Sequence, residues 1–241
     1  SDVCSSDLHL TGAGSKGTAG QKIQSYTWTA KQPAGSLKSF SPSKTFANPT
    51  FTVDVAGKYE FCLDVTDTAG LKSCAAACVQ VLVIPGQSVH VELLWDTPGD
   101  PDQTDSGQLA GADMDLHFAK QSAPGADLDC DGSDDPWFDP KDCFWYNSAP
   151  NWGGKDNPTL DLDDVDGAGP ENLNLKAPEG TAAAPNWYSI GVHYWADHGF
   201  GTSYATVTVY LFGTVVLKTD KVAMKRWDMW YVGKLNWPNQ L

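Results

Sequence analysis

Short runs of alternating apolar and polar residues, separated by Gly- and Pro-rich stretches, fill almost the whole chain. Residues 23–29 (Ile-Gln-Ser-Tyr-Thr-Trp-Thr), 51–55 (Phe-Thr-Val-Asp-Val) and 59–65 (Tyr-Glu-Phe-Cys-Leu-Asp-Val) carry the pattern early on. Residues 89–95, 112–118, 188–194 and 205–212 carry it later. A period of two belongs to strands with one buried face, and helical periodicity is nearly absent. The pattern predicts an all-β protein. In residues 59–65, Tyr59, Phe61, Leu63 and Val65 share a face expected in the core, which turns Cys62 outward. In residues 112–118, Asp113, Asp115 and His117 share a face.

Ten tryptophans in 241 residues supply the apolar surface of a packed core, and the length accommodates two domains. Charge divides the chain. Residues 1–86 contain six acidic and seven basic side chains, whereas residues 87–241 contain 24 acidic and nine basic. The break falls at Val83-Ile84-Pro85-Gly86, a strand end entering a Pro-Gly linker, so domains are expected at 9–85 and 86–241. A net charge of −14 argues against nucleic acid or an anionic membrane as partner, because phosphate binding needs a basic face. No apolar run is long enough to span a bilayer. No basic-then-apolar signal segment occurs, so a mature or truncated form is expected. Residues 1–8 (Ser-Asp-Val-Cys-Ser-Ser-Asp-Leu) match the translation of a sequencing adapter at a contig end as well as they match a polar leader, and they are assigned no part in the fold.

The six cysteines, at positions 4, 62, 74, 78, 130 and 143, lack the repeated close pairs of a zinc site. They are read as disulfide-forming, which places the protein outside the cytoplasm. The turn Asp67-Thr-Ala-Gly returns the chain so that Cys62 is expected to face Cys74, with Cys62–Cys78 the alternative. Cys130 and Cys143 bracket an acidic loop and are expected to pin it.

Two resemblances become specific at this point. Leu10-Thr-Gly-Ala-Gly-Ser, Ile23-Gln-Ser-Tyr-Thr-Trp and Ala56-Gly-Lys-Tyr-Glu-Phe-Cys-Leu-Asp-Val-Thr-Asp resemble a polycystic-kidney-disease (PKD) domain, which implies an immunoglobulin-like sandwich whose first strand falls in the doubtful leader. The rest of the chain resembles a module of bacterial surface and secreted proteins. The segments that carry this are Asp113-Met-Asp-Leu-His117, Asn147-Ser-Ala-Pro-Asn-Trp-Gly153, the loop from Leu160 to Glu171, and Gly191-Val-His-Tyr194. That resemblance implies an extracellular or cell-surface location and no particular activity. With the scarcity of helical pattern, a jelly-roll-like β-sandwich is expected for this part.

Residues 156–171 hold five aspartates and a glutamate, with Lys155 and Lys176 too few to neutralise them. Calcium is the expected cofactor, because a hard cation takes oxygen ligands at irregular angles; a solvated acidic loop is the alternative. Asp161, Asp163, Asp164, Asp166 and Glu171 are candidate ligands, completed by Asp113 or Asp115. A second candidate is Asp127, Asp129, Asp131, Ser133 and Asp135, where Asp-x-Asp-x-Asp-Gly places carboxylates on alternate residues and Gly132 permits a sharp turn. The twelfth position of this loop is Phe138 rather than Glu, so it is not a full EF-hand.

His117 and His193 lie on strands between hydrophobic neighbours, where a packed histidine is the commoner outcome, whereas His198 lies in a Gly-rich loop. Nine of the ten tryptophans fall in the second domain. Trp137, Trp145, Trp152 and Trp195, with His198, are candidates for a carbohydrate-binding surface; the alternative places these rings in the core. No Gly-x-Ser-x-Gly or His-Glu-x-x-His motif is present. The first reading is a non-catalytic adhesion or binding module, stabilised by calcium, whose partner is a surface polymer, glycan or extracellular protein. The alternatives are a carbohydrate-binding ancillary domain of a secreted hydrolase and a metal-dependent hydrolase.

Overall fold

A computed structural model describes residues 6–105, 107, 109–120, 125–127, 132–165 and 167–238. The chain divides into two compact units, residues 1–84 and 85–241, at the segment where the charge composition changes.

The first unit pairs two three-stranded antiparallel sheets. One orders β1 (Ser6–His9), β4 (Thr50–Val53) and β3 (Phe40–Ser41); the other orders β2 (Ile23–Lys31), β5 (Gly57–Asp67) and β6 (Ala77–Val83). Phe51, Val53, Tyr59, Phe61 and Val83 form the core, with Leu8, Leu10 and Phe40 packed against it. Residues 6–8 therefore belong to the fold, contrary to the expectation that set them aside. Leu8 stands opposite Phe51 in the sheet, but an isolated apolar residue in a polar leader carries too little pattern to reveal a strand.

The disulfide joins Cys62 to Cys78, so the expected Cys62–Cys74 pair is corrected and Cys74 is a free, exposed thiol. Asp67 explains the turn, because its carboxylate accepts the amides of Ala69 at 2.9 Å and Leu71 at 3.0 Å. The chain then bridges Lys72 to Thr66 and enters β6 only at Ala77. This delay places Cys78, not Cys74, opposite Cys62.

The second unit is a sandwich of two larger antiparallel sheets. The first runs in the order β10 (Pro158–Leu162), β11 (Glu171–Leu175), β7 (Val89–Asp96), β13 (Ser203–Leu211), β14 (Thr214–Lys218), with β15 (Val222–Met224) also pairing β13. The second runs β16 (Met229–Trp237), β12 (Asn186–Ala196), β8 (Asp113–Lys120), β9 (Asp142–Cys143). Val89, Val91, Leu93, Leu173, Val207 and Val209 of the first meet Met114, Leu116, Phe118, Ile190 and Val192 of the second in one continuous core. Even-numbered residues of β8 fill this core. Asp113, Asp115 and His117 occupy its other face, and all three are buried. A strand buried on both faces with three polar side chains on one of them needs partners for each.

Candidate functional site

One ligand oxygen from each of Asp115, Asp163 and Glu171 lies within 4.8 Å of the other two. Asp115 comes from β8, Asp163 from the loop after β10, and Glu171 from the first position of β11. Gly169 makes the entry into β11 possible. Its φ is 79°, and an added Cβ would lie 2.9 Å from the Trp95 ring, so both conformation and space call for glycine. β9 is only two residues long and pairs with Phe118 and Ala119. The Leu116 amide further along β8 instead donates to Glu171 Oε2 at 2.6 Å. That bond holds the glutamate against β8, while Glu171 Oε1, Asp115 Oδ2 and Asp113 Oδ1 are buried without a hydrogen-bond partner.

The electrostatics are adverse as they stand. Burial, followed by the charge of Asp115, pushes the Glu171 carboxyl well above the usual range. Burial also raises Asp113, helped by Asp115, Asp163 and Asp164, to about 7. Asp163 is raised chiefly by burial, with the charge of Asp115 adding to it. Carboxylates this close repel one another when ionised, and a proton or another cation among them relieves the repulsion. Two other buried carboxylates of this unit have basic partners built in. Asp156 takes Lys120 Nζ at 2.7 Å and the Tyr188 hydroxyl at 3.1 Å, and Asp142 takes His117 Nδ1 at 2.6 Å. The ligand atoms that Asp115, Asp163 and Glu171 themselves offer are oxygens, which fits a hard divalent cation. Asp163 is exposed and gives an ion a way in.

Other expected ligands stand elsewhere. Asp161 is not in the cluster; its carboxylate accepts Thr159 Oγ1 at 2.8 Å and the side-chain amide of Asn174, which itself meets His90 Nδ1 at 2.8 Å. Asp161 lies within β10 at a register shift between Leu160 and Leu162 and meets that network, whereas Asp163, beyond the end of the strand, reaches Glu171. Asp164 contributes charge beside Asp113. Asp127 Oδ2 accepts the Gly132 amide at 3.0 Å, and the Asp135 amide donates to the Ala126 carbonyl at 3.0 Å. Asp129, Asp131 and Asp166 lie outside the described residues, as does Cys130. Cys143 is a buried free thiol, with burial pushing its pKa far up, so the expected Cys130–Cys143 bond is not formed. Its sulfur faces the Ser148 carbonyl at 3.4 Å on the core side of β9.

His117 is an interior residue. It stacks on Phe144 with ring centroids 5.0 Å apart, and it and Asp142 have 0% side-chain exposure. Among the described residues, no histidine joins a group of three metal-binding side chains. Trp137 and Trp152, expected on a ligand surface, are buried. Trp137 covers Gly191, where an added Cβ would lie 2.7 Å from the indole. Trp152 stacks on Tyr188 and lies under Lys120. Both fill space left by small or flat neighbours.

Trp145 and Trp195 are exposed, and their rings meet at 6.0 Å. Trp195 adjoins Trp227 at 5.2 Å, and those two line an open pocket of ≈ 450 Å³ with Asp197, His198 and Arg226. Trp227 and Arg226 were missed by the sequence reading, although Arg226 is the sole arginine of the chain and stands next to a tryptophan. Asp100 was missed too: it is buried in the loop after β7, with Oδ2 unpartnered and 3.4 Å from the Cβ position of Gly167.

No family model matches the chain, and neither a curated protein nor a solved structure matches it.

Proposed function

We propose that the second unit is a non-catalytic extracellular binding module whose acidic loop is locked to the sandwich by calcium. The observation that carries this is the convergence of Asp163 with the buried Asp115 and Glu171, whose Oδ2 and Oε1 lack a hydrogen-bond partner, beside a single basic side chain among the described residues, His193, 3.5 Å from Asp115. Asp115, Asp163 and Glu171 would hold the ion, with Asp113 and Asp164 adjacent. The ion supplies the positive charge that lets the loop after β10 close over β8. Exposed binding surfaces then sit on a rigid scaffold, a common arrangement for loops that carry function. The Cys62–Cys78 disulfide of the first unit supports an oxidising, extracellular setting. The first unit, a six-stranded sandwich, is compatible with the PKD-like spacer expected from its sequence.

Calorimetric titration of calcium into the chelator-treated chain tests the proposal. Saturable binding of one ion, abolished in Glu171→Gln, is expected. Heat of dilution alone would refute it.

A further inference from the structure

Two neighbouring turns of the second unit hold bulky rings in backbone conformations that favour glycine or asparagine. The first joins β12 to β13. The Phe200 amide donates to the Asp197 carbonyl at 2.7 Å, and the two central residues, His198 and Gly199, have φ of 41° and 91°. The second joins β15 to β16. The Asp228 amide donates to the Lys225 carbonyl at 2.9 Å, and Trp227, the third residue, has φ of 75°. A β-turn with positive φ at that position selects Gly or Asn, and a large side chain there is an outlier that points to a role beyond folding.

Both turns are fixed rather than loose. His198 Nδ1 meets the Gly111 carbonyl at 2.6 Å. The Trp227 amide donates to the Tyr194 carbonyl at 2.8 Å, and Tyr194 donates back to Asp228 at 2.9 Å. The outcome is that His198 and Trp227, each placed against local preference, face the same open pocket. Trp195 supplies a second indole, 40% exposed, beside a Trp227 that is 55% exposed. The guanidinium of Arg226 is held over the Trp227 ring at 4.7 Å, and among the described residues it has no carboxylate within ion-pair distance.

We propose that this pocket binds a neutral polysaccharide, Trp195 and Trp227 stacking on the apolar C–H faces of sugar rings while Asp197, His198 and Arg226 hydrogen-bond to hydroxyls. Flat indoles beside a few fixed polar groups match an amphipathic ring with hydroxyls at its edge. A neutral polymer is favoured over an acidic one because residues 87–241 carry 24 acidic against nine basic side chains, which repels a polyanion, and because Asp197 shares the pocket with Arg226. The inference rests on the reading of this unit as a binding module and adds the site and the ligand class.

Affinity electrophoresis and calorimetry of the full chain in calcium, against neutral glucans, mannans, galactans and xylans and against polygalacturonate, test it. At least one neutral polymer is expected to bind and polygalacturonate is not. Trp227→Gly and Arg226→Gln are each expected to weaken binding at least about tenfold, with Trp227→Gly unfolding no lower than the parent because glycine suits the turn. Arg226→Gln, on the surface, keeps the test open should Trp227→Gly not fold. Binding by no neutral polymer, binding by polygalacturonate alone, or unchanged affinity in both variants would overturn the proposal. Those results leave the calcium response intact, so they are distinguishable from failure of the carboxylate site.

Discussion

Asp115 Oδ2 lies 3.5 Å from His193 Nδ1, and the His193 ring lies against those of Trp195 and Trp227, with centroids 5.9 and 6.1 Å away. One carboxylate thus borders both the acidic cluster and the aromatic pocket. At 3.5 Å the pair makes no hydrogen bond, so Asp115 is free to turn its charge to an ion. Calcium is expected to change tryptophan emission, and Trp227→Gly to remove part of that change while calcium affinity stays within about a few-fold. A fluorescence titration of both proteins checks this; identical amplitudes would place the change in other rings.

Repulsion among the carboxylates has a sign that substitution can read. Glu171→Gln removes one charge while keeping an oxygen for the Leu116 amide. Without metal this variant is expected to be more stable than the parent at neutral pH, because a buried amide needs neither a proton nor a cation. Chemical denaturation in chelator measures it. A less stable variant would mean that Glu171 is already satisfied without an ion.

Lys120 tests the opposite case, a buried carboxylate with its cation built in. Lys120→Met leaves Asp156 unpaired and is expected to cost about 3–5 kcal/mol. The double variant with Asp156→Asn is expected to recover part of this. Denaturation curves for the two singles and the double give the coupling directly; an additive result would show the pair to be inert.

His90 sets an acid limit. Burial lowers its pKa below 6.5, against the Asn174 hydrogen bond and the charge of Asp161, which raise it. A histidine depressed in the folded state binds its proton more readily when unfolded. Its contribution is therefore complete above pH 6.5 and is lost as pH falls towards the folded value. His90→Gln is expected to flatten the stability profile below pH 6.5. Parallel profiles for variant and parent would remove His90 as the cause.

The disulfide gives a mapping prediction. Without reduction, digestion is expected to yield a peptide linking Cys62 to Cys78, with Cys74 alkylated in the native chain and Cys143 only after unfolding. Closing a loop of this separation, 16 residues, is worth about 3 kcal/mol in the chain-entropy account. A Cys62–Cys74 peptide would contradict the register of β5 and β6.

Alternation made the strands legible, and charge composition marked the segment at which the units divide. The parity of β8 put Asp113, Asp115 and His117 on one face from sequence alone, and the 160–171 loop announced Asp163 and Glu171. Three things were not legible. Cys78 opposes Cys62 because the chain bridges at Lys72 before β6 starts, a detour without a hydrophobic signature. Trp137 and Trp152 are interior because Gly191 and Tyr188 lie beneath them, and such long-range packing leaves no local mark. Trp227 carries a left-handed φ, visible only once the turn is built, although the lone arginine beside it was a usable signal.

Thermal unfolding of the full chain, first in chelator and then with calcium restored in excess, tests the central claim most directly. Selective binding to the folded state raises the midpoint in proportion to the logarithm of free calcium. A large, reversible rise is expected, and it is expected to be absent in Glu171→Gln and Asp115→Asn. Equal midpoints with and without calcium would contradict it, leaving the buried carboxylates to share protons instead.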